Sequence, residues 1–213
     1  MIRVGELAVI GPYFALGEGP PDPAAGWQPV TAAAVGELID RSPVAERWIA
    51  ASLLYQGWAA RLTSVYAGSA VLAGQVPDLS LTRMHYRMPQ PGPVELLAWP
   101  LAAISAADGW QRLYAGHLEP LAAAVRQRVR IGRHLLLGNV GSALAGSLTA
   151  LDRAGYARLD TLIAQDWASP AELAACGQWA AAPGGPRYTR RTCCGYVRLP
   201  GGGRCGDCSL NRG

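Results

Sequence analysis

The sequence predicts an α+β protein that is predominantly α-helical, with one small antiparallel hairpin and a cysteine-bearing C-terminal appendage. Half of the 213 residues are apolar, and much of that half is Ala and Leu, which favour helix over sheet. Only one segment, near the middle of the chain, alternates as a strand does. Four of the five cysteines lie close to the C-terminus, after a run of Pro and Gly.

The N-terminal part is predicted to be irregular for about thirty residues, because it is rich in Pro and Gly. A first helix is predicted over 31–40, and a second begins near Ser42, a good cap that precedes a Pro. The second helix continues through 45–74, with a bend expected at Gly57. Its apolar side chains recur at helical spacing and are expected in the core: Trp48, Leu53, Leu54, Trp58, Leu62 and Val65.

A hairpin follows, with strands predicted over 79–88 and 94–99 and a turn at the PQPG sequence of 89–92. The chain then returns to helix, over 117–131 and 132–154 and, for a shorter stretch, over 160–167. A capping box at 169–172 predicts one more helix.

Composition and length limit the class of protein. The chain fits one globular domain with an appendage, which we divide into a mainly helical domain, 1–185, and a C-terminal segment, 186–213. The net charge of +4 is too small to indicate nucleic-acid binding by itself. The N-terminus does not predict a secretory signal, because Glu6 interrupts its apolar stretch. The apolar stretch 135–151 does not predict a stable membrane span, because polar residues interrupt it. We therefore expect a cytoplasmic protein with reduced cysteines.

The C-terminal cysteines form a pattern typical of a metal site. Cys193 and Cys194 are adjacent, and Cys205 and Cys208 follow after a ten-residue loop whose PGGG sequence permits a chain reversal. Four thiolates suit either structural zinc or a [2Fe–2S] cluster. Neighbouring side chains in an extended segment point in opposite directions, so the adjacent pair favours the broader two-iron cluster. Cys176 is expected to be a small buried apolar side chain.

The tail resembles the FhuF family of siderophore-iron reductases. The resemblance rests on the Arg-Thr-Cys-Cys run at 191–194 and the Cys-Gly-Asp-Cys-Ser-Leu run at 205–210, with a similar helical segment upstream at 133–145. Ser209 stands where the family pattern has Pro, which should affect chain direction and not ligation. The resemblance implies that Cys193, Cys194, Cys205 and Cys208 hold a [2Fe–2S] cluster.

The same resemblance implies a function. The protein would be an oxidoreductase that reduces Fe(III) in an imported ferric siderophore by one electron and releases Fe(II) in the cytosol. Residues 1–185 would bind the siderophore, the electron donor would be a protein such as a ferredoxin, and no nucleic acid would take part. Once bound by thiolates, the cluster needs no separate catalytic acid, base or nucleophile.

Arginines accompany the cysteines, and the sequence contains no lysine. Arg191 and Arg204 adjoin the ligands and are candidates for tuning the cluster or binding a partner, and the basic tail also favours anionic ligands. The tail arginines are Arg187, Arg190, Arg191, Arg198, Arg204 and Arg212. Asn139, inside an apolar helix, is expected to make a buried interhelix hydrogen bond.

Two alternatives remain open from the sequence. A zinc knuckle with an arginine-rich tail would bind nucleic acid, and an iron–sulfur redox sensor would hold the same cluster without turnover. The tryptophans and histidines offer no pattern that identifies a substrate site: Trp48, Trp58, Trp99, Trp110, Trp167, Trp179, His85, His117 and His134 are each expected to be structural.

Overall fold

A computed structural model describes residues 4–88 and 94–211, and over these ranges the fold is α+β and mainly helical, as predicted. The helices are α1 (Ala32–Asp40), α2 (Arg47–Ala73), α3 (Ala106–Leu113), α4 (Glu119–Arg128), α5 (Arg133–Arg153) and α6 (Leu159–Ile163). The strands are β1 (Gln28–Pro29), β2 (Gln75–Pro77), β3 (Met84–Arg87), β4 (Glu95–Ala98), β5 (Ala103–Ser105), β6 (Gly177–Ala180) and β7 (Arg187–Arg190).

The core is organised around α2 and α5, which pack along each other. Small hydroxyl residues lie between them: the Ser147 hydroxyl is 3.1 Å from that of Thr63 and 3.0 Å from that of Ser64. By length and composition α5 is apolar enough to cross a membrane, but 67% of its most apolar window is buried inside the fold. Its apolar surface therefore belongs to the core.

The N-terminal helices agree with the sequence prediction except at one boundary. Thr31 caps α1 by accepting a hydrogen bond from the Ala34 amide at 3.1 Å. The predicted start of the second helix near Ser42 is wrong, since α2 begins at Arg47. The Ser42 hydroxyl accepts only a long local bond from the Val44 amide, 3.4 Å, and forms a turn. The helix then continues through Gly57 without interruption.

The predicted hairpin is present as β3 and β4, antiparallel, with Met84 opposite Ala98 and Arg87 opposite Glu95. The turn at 89–92 lies outside the described residues. The first strand is shorter than predicted, because the buried Asp78 carboxylate accepts a hydrogen bond from the Ser80 amide and directs the chain into a 3₁₀ turn, Leu81–Arg83. A short pairing with β1 completes the three-stranded sheet.

Helical structure after the hairpin begins earlier than predicted. Ser105 caps α3 by accepting from the Asp108 amide at 3.1 Å, so the helix starts at Ala106 and not near His117. Asp108-Gly109 is a common turn sequence. Here it lies within a helix, because Gly109, Trp110 and Leu113 of this helix are buried against the core. A π-helical turn, Tyr114–Leu118, joins α3 to α4.

The chain beyond α5 contains less helix and more strand than predicted. The short helix α6 ends at Ile163, and the capping box at 169–172 leads only to a 3₁₀ turn, Ala171–Leu173, without a side-chain cap. Strands β6 and β7, which the sequence analysis did not predict, pair antiparallel with Gly177 opposite Arg190. These strands lie on either side of the division proposed at residue 185.

His117 lies in the π-helical turn and is completely buried. Its Nδ1–H donates to the Leu79 carbonyl at 2.8 Å, and its Nε2 accepts from the Trp58 indole N–H at 3.1 Å. Burial lowers the pKa of His117 to about 4, against an upward effect of the bond to Leu79. The ring is therefore neutral in the folded protein, and its role is structural.

The burial of His117 predicts a pH dependence of stability. Its pKa of about 4 lies below the value of about 6.5 expected in the unfolded chain, so the unfolded state binds more protons between these values. The free energy of unfolding should be highest above pH 6.5 and should fall by about 3 kcal/mol as the pH drops to about 4. Urea titrations of the wild type and of His117→Phe, which lacks this slope although it is less stable, measure the difference. His134→Gln, at an exposed position, is the control and should retain the slope.

Candidate metal centre

The chain reversal predicted in the cysteine loop is present. The Gly202 amide donates to the Leu199 carbonyl at 2.8 Å and turns the chain back. As a result, the thiols of Cys194 and Cys205 are hydrogen-bonded to each other. Cys194 and Cys208 are buried, whereas Cys193 and Cys205 are half-buried. Two of the four cysteines are thus shielded from solvent, and the other two remain partly accessible to it.

The second cysteine pair lies in a compact knuckle. The Cys208 amide donates to the Cys205 carbonyl at 3.1 Å, and the same carbonyl accepts from the Asn211 side-chain amide at 2.9 Å. The following residues form a 3₁₀ turn, Ser209–Asn211. Ser209 thus begins a tight turn after the last cysteine, where the family pattern has Pro.

Immediately after the adjacent cysteines, the chain bends at Gly195. Its φ of 90° is in the left-handed region, which favours glycine. A Cβ atom there would lie 2.9 Å from the Trp48 ring and 3.0 Å from Ile49. The Gly195 amide donates to the Cys193 sulfur at 3.5 Å, and the Tyr196 amide to the Cys194 sulfur. The bend therefore directs backbone N–H groups at sulfur.

The paired thiols differ in acidity. The hydrogen bond from Cys205 lowers the pKa of Cys194 to about 6, partly opposed by burial. The same hydrogen bond, with burial and the nearby Asp207 carboxylate, raises the pKa of Cys205. Cys194 is thus the more readily ionised thiol of this pair, and thiolate is the form that binds metal. Cys176 is 4% exposed, which confirms the predicted buried position. Burial raises its pKa.

The loop between the cysteine pairs is fastened to the start of α2. Arg198 forms an ion pair with Glu46 at 3.2 Å and lies over the Trp48 ring at 5.7 Å. The Trp48 indole N–H also donates to Glu46, at 3.0 Å. Trp48, which is half-buried, thus supports the cysteine loop in addition to packing against the core.

Arg190 is the residue that the sequence analysis did not single out. Its side chain is completely buried and its guanidinium donates to the Asn139 side-chain oxygen and, at 3.3 Å, to that of Gln56. In the part of the chain described here, no carboxylate forms an ion pair with it. Its positive charge lowers the pKa of Cys194, so it acts on the cysteine site through space. Six arginines occur in the tail, and no local pattern distinguishes Arg190 from the others.

Two residues of α5, Gly138 and Asn139, allow the C-terminal segment to pack closely against this helix. A Cβ atom at Gly138 would lie 2.1 Å from the Thr192 hydroxyl, so the absence of a side chain permits the close approach. Asn139 donates to the backbone carbonyl of Ser52 at 2.9 Å and to its hydroxyl at 3.0 Å, which confirms the predicted interhelix bond. Asn139 thus connects α2, α5 and, through Arg190, the C-terminal segment.

The remaining candidates are distributed over the fold. Arg191 and Arg204 are exposed, and Arg212 lies outside the described residues. Trp58 and Trp110 are buried, Trp48, Trp167 and Trp179 are half-buried, and Trp99 is exposed. His85 is half-buried and His134 exposed, and both lie far from the cysteines in sequence.

The four thiols of the C-terminal segment are the donors that could hold a thiolate-bound metal. The Thr192 hydroxyl oxygen and one Asp207 carboxylate oxygen are buried and have no hydrogen-bond partner. Both residues lie next to cysteines in the sequence. Among residues 4–88 and 94–211, no three His, Cys, Asp or Glu side chains gather around one point as ligands of a single ion. Structural zinc and a [2Fe–2S] cluster each take four thiolates, so this finding favours neither.

No protein-family model matches this chain, and no curated protein matches it either.

We expect Gly195→Ala to loosen the cysteine loop. An Ala side chain would be strained at a φ of 90°, by about 1–2 kcal/mol, and would also collide with Trp48. Trypsin cleavage after Arg198 and Arg204 should become several-fold faster, because proteolysis follows the population of the opened segment. Gly201→Ala is the matched control: it has a φ of 71° with open space around it, so its effect reports backbone strain alone. Equal acceleration in both variants would mean that the Trp48 contact contributes nothing.

Proposed function

We propose that Cys193, Cys194, Cys205 and Cys208 hold a [2Fe–2S] cluster and that the protein is a cytoplasmic one-electron reductase of ferric siderophores. The observation that carries the proposal is the direct contact between the Cys194 and Cys205 thiols, which come from opposite ends of the loop. Backbone amides of Gly195 and Tyr196 already point at sulfur, as thiolate ligands require. The resemblance of the tail to siderophore-iron reductases supports the same conclusion.

Such a cluster, when bound, supplies single electrons at a potential that its surroundings adjust. The substrate is an Fe(III) complex with hard oxygen donors, and uptake of one electron converts its metal to Fe(II), which these donors hold far more weakly. The electron would come from a low-potential protein donor such as a ferredoxin. Iron would thus leave the siderophore in the cytosol without any bond in the ligand being broken.

The protein's own residues would control charge and access at this site. Four thiolates concentrate negative charge, and the buried guanidinium of Arg190 is not neutralised by a carboxylate among the described residues. The exposed Arg191 and Arg204 add positive charge that solvent screens more strongly. The half-buried Cys193 and Cys205 leave one side of the site near the surface, where a partner can approach.

The zinc alternative with nucleic-acid binding is less well supported by the side chains of the tail. The described aromatic residues of the tail are only Tyr188 and Tyr196, which offers little for stacking on bases. A redox sensor would have the same cysteines, and only turnover distinguishes it from a reductase.

Metal analysis and turnover test the proposal. Anaerobically purified protein should contain iron and acid-labile sulfide in equal amounts and should show an EPR signal only after reduction. Cys194→Ser and Cys205→Ser should lose most of the iron, whereas Cys176→Ser, the matched control, should retain it. Zinc in place of iron and sulfide would contradict the proposal, and loss of iron in Cys176→Ser would show that the ligand set is wrong.

For turnover, dithionite-reduced protein is mixed anaerobically with a ferric siderophore and an Fe(II) chelator. A reductase should be reoxidised while the chelator gains Fe(II) in a one-to-one ratio with the electrons lost. A protein that retains its electron would be a sensor.

Arg190→Gln should lower the midpoint potential by an amount on the order of 50 mV. Removal of a buried positive charge makes the addition of negative charge less favourable, and the low-dielectric interior screens this weakly. Arg190→Lys retains the charge and should lie closer to the wild type. Arg191→Gln removes an exposed charge and should shift the potential less. Redox titration followed by EPR measures all three, and a larger shift in Arg191→Gln than in Arg190→Gln would contradict the assignment.

A further inference from the structure

A broad cleft borders the cysteine knuckle. Its volume is about 1240 Å³, and it is lined by residues 10–14, by small residues of α2 and α5, and by residues 183–188 and 204–207. Sites for small molecules typically enclose about 300–1,000 Å³. The cleft is therefore large enough for a bulky, roughly spherical ligand, and Cys205 itself is part of its wall.

The cleft carries positive charge that the protein does not use. Arg153, Arg187 and Arg204 all line it, and all three are exposed. No ion pair or side-chain hydrogen bond engages any of them within the described part of the chain. Guanidinium groups stay charged at all relevant pH values and present paired donors that suit oxygen anions.

The two carboxylates of the cleft offset part of this charge, and three arginines against two carboxylates leave a net charge of +1. Asp152 accepts a hydrogen bond from the Leu159 amide at 2.9 Å, which holds it at the start of α6. Asp207 lies beside the Cys205 thiol, with which it is hydrogen-bonded. Both are half-buried, whereas the three arginines are exposed.

An aromatic surface accompanies the arginines. The Tyr13 side chain is 46% exposed, and it lines the same cleft. Exposed aromatic rings and guanidinium planes both pack well against flat aromatic ligands. A ligand that is bulky, anionic and aromatic would use all of these features together.

We propose that this cleft binds tris-catecholate complexes of iron(III), with Arg153, Arg187 and Arg204 at the catecholate oxygens and Tyr13 against a ring. Such complexes carry strong negative charge, whereas trihydroxamate complexes are neutral or cationic. Reduction of the bound iron rests on the proposed function, because it requires an electron carrier at the cysteines. A ligand in the cleft would lie next to one of them, Cys205. The binding itself requires no electron transfer.

Gallium(III) complexes test the binding separately from the redox chemistry, since gallium(III) matches iron(III) in charge and coordination but is not reduced. We expect the whole protein to bind a hexadentate gallium tris-catecholate at least ten-fold more tightly than a gallium trihydroxamate, by isothermal titration calorimetry at low ionic strength. Arg153→Gln and Arg187→Gln should each weaken catecholate binding by up to about 5-fold, the upper end for a single exposed charge contact. Tyr13→Leu should weaken it as well.

Arg126→Gln is the matched control, because Arg126 is an exposed arginine of α4 outside the cleft. It should leave the affinity unchanged. All of these positions are at the surface, so circular dichroism and thermal melts should match the wild type. The inference would be overturned if the trihydroxamate bound as tightly as the catecholate, or if the cleft variants changed the affinity no more than Arg126→Gln.

The test separates this inference from the proposed function. If metal analysis found no cluster but the gallium catecholate still bound in the cleft, only the reductase would be refuted. If the cluster and turnover were present but the cleft variants affected only the rate of reduction by an acidic ferredoxin, the arginines would serve the electron donor and the inference would be wrong.

Discussion

The buried guanidinium of Arg190 is the interaction on which the arrangement of the C-terminal segment depends. A buried charge costs several kcal/mol unless its donors are satisfied. Here the two terminal nitrogens donate to the side-chain oxygens of Asn139 and Gln56, while the buried Nε has no partner among the described residues. These two residues belong to α5 and α2, so the charge can be accommodated only where both helices and β7 meet. Loss of any of the three positions would leave buried polar groups without partners.

This constraint also determines where the cysteines lie. The Arg190 backbone amide donates to the Asp207 carbonyl at 3.0 Å, which places the second cysteine knuckle beside β7. The Arg191 amide donates to the Cys176 carbonyl at 2.8 Å on the other flank. With β7 held in this way, Gly195 turns the chain against Trp48 and the loop returns Cys205 to Cys194. Cys194 and Cys205 are therefore brought together by the body of the fold, and a bound metal is not needed to explain their approach.

The same placement relates the thiols to the cleft. The knuckle that carries Cys205 forms part of the cleft wall, and the loop between β6 and β7 forms another part. An electron carrier at the cysteines and a ligand in the cleft would be neighbours without any rearrangement of the backbone. A protein that transfers an electron through space requires this proximity more than it requires any acid or base.

The sequence by itself determined the features that depend on local spacing. The helical period predicted α1, most of α2 and α5. Alternation and a turn sequence predicted β3 and β4. The PGGG loop predicted the approach of the cysteine pairs, which is observed between Cys194 and Cys205. The buried amide of Asn139 followed from a polar residue in an apolar helix. The cluster and the reductase activity follow from the tail's resemblance, and they stay predictions.

Only the tertiary structure decided which arginine is buried, how β6 pairs with β7, and where the cleft lies. Arg187, Arg190 and Arg204 are the same residue type in one short segment, yet one is in the interior and two line the cleft. That difference arises from contacts with α2 and α5, which are distant in the chain. The approach of Thr192 to Gly138 likewise depends on α5 being in place. Local patterns carry no information on such long-range contacts, because the free energy that selects them comes from burial and hydrogen bonding across the whole fold.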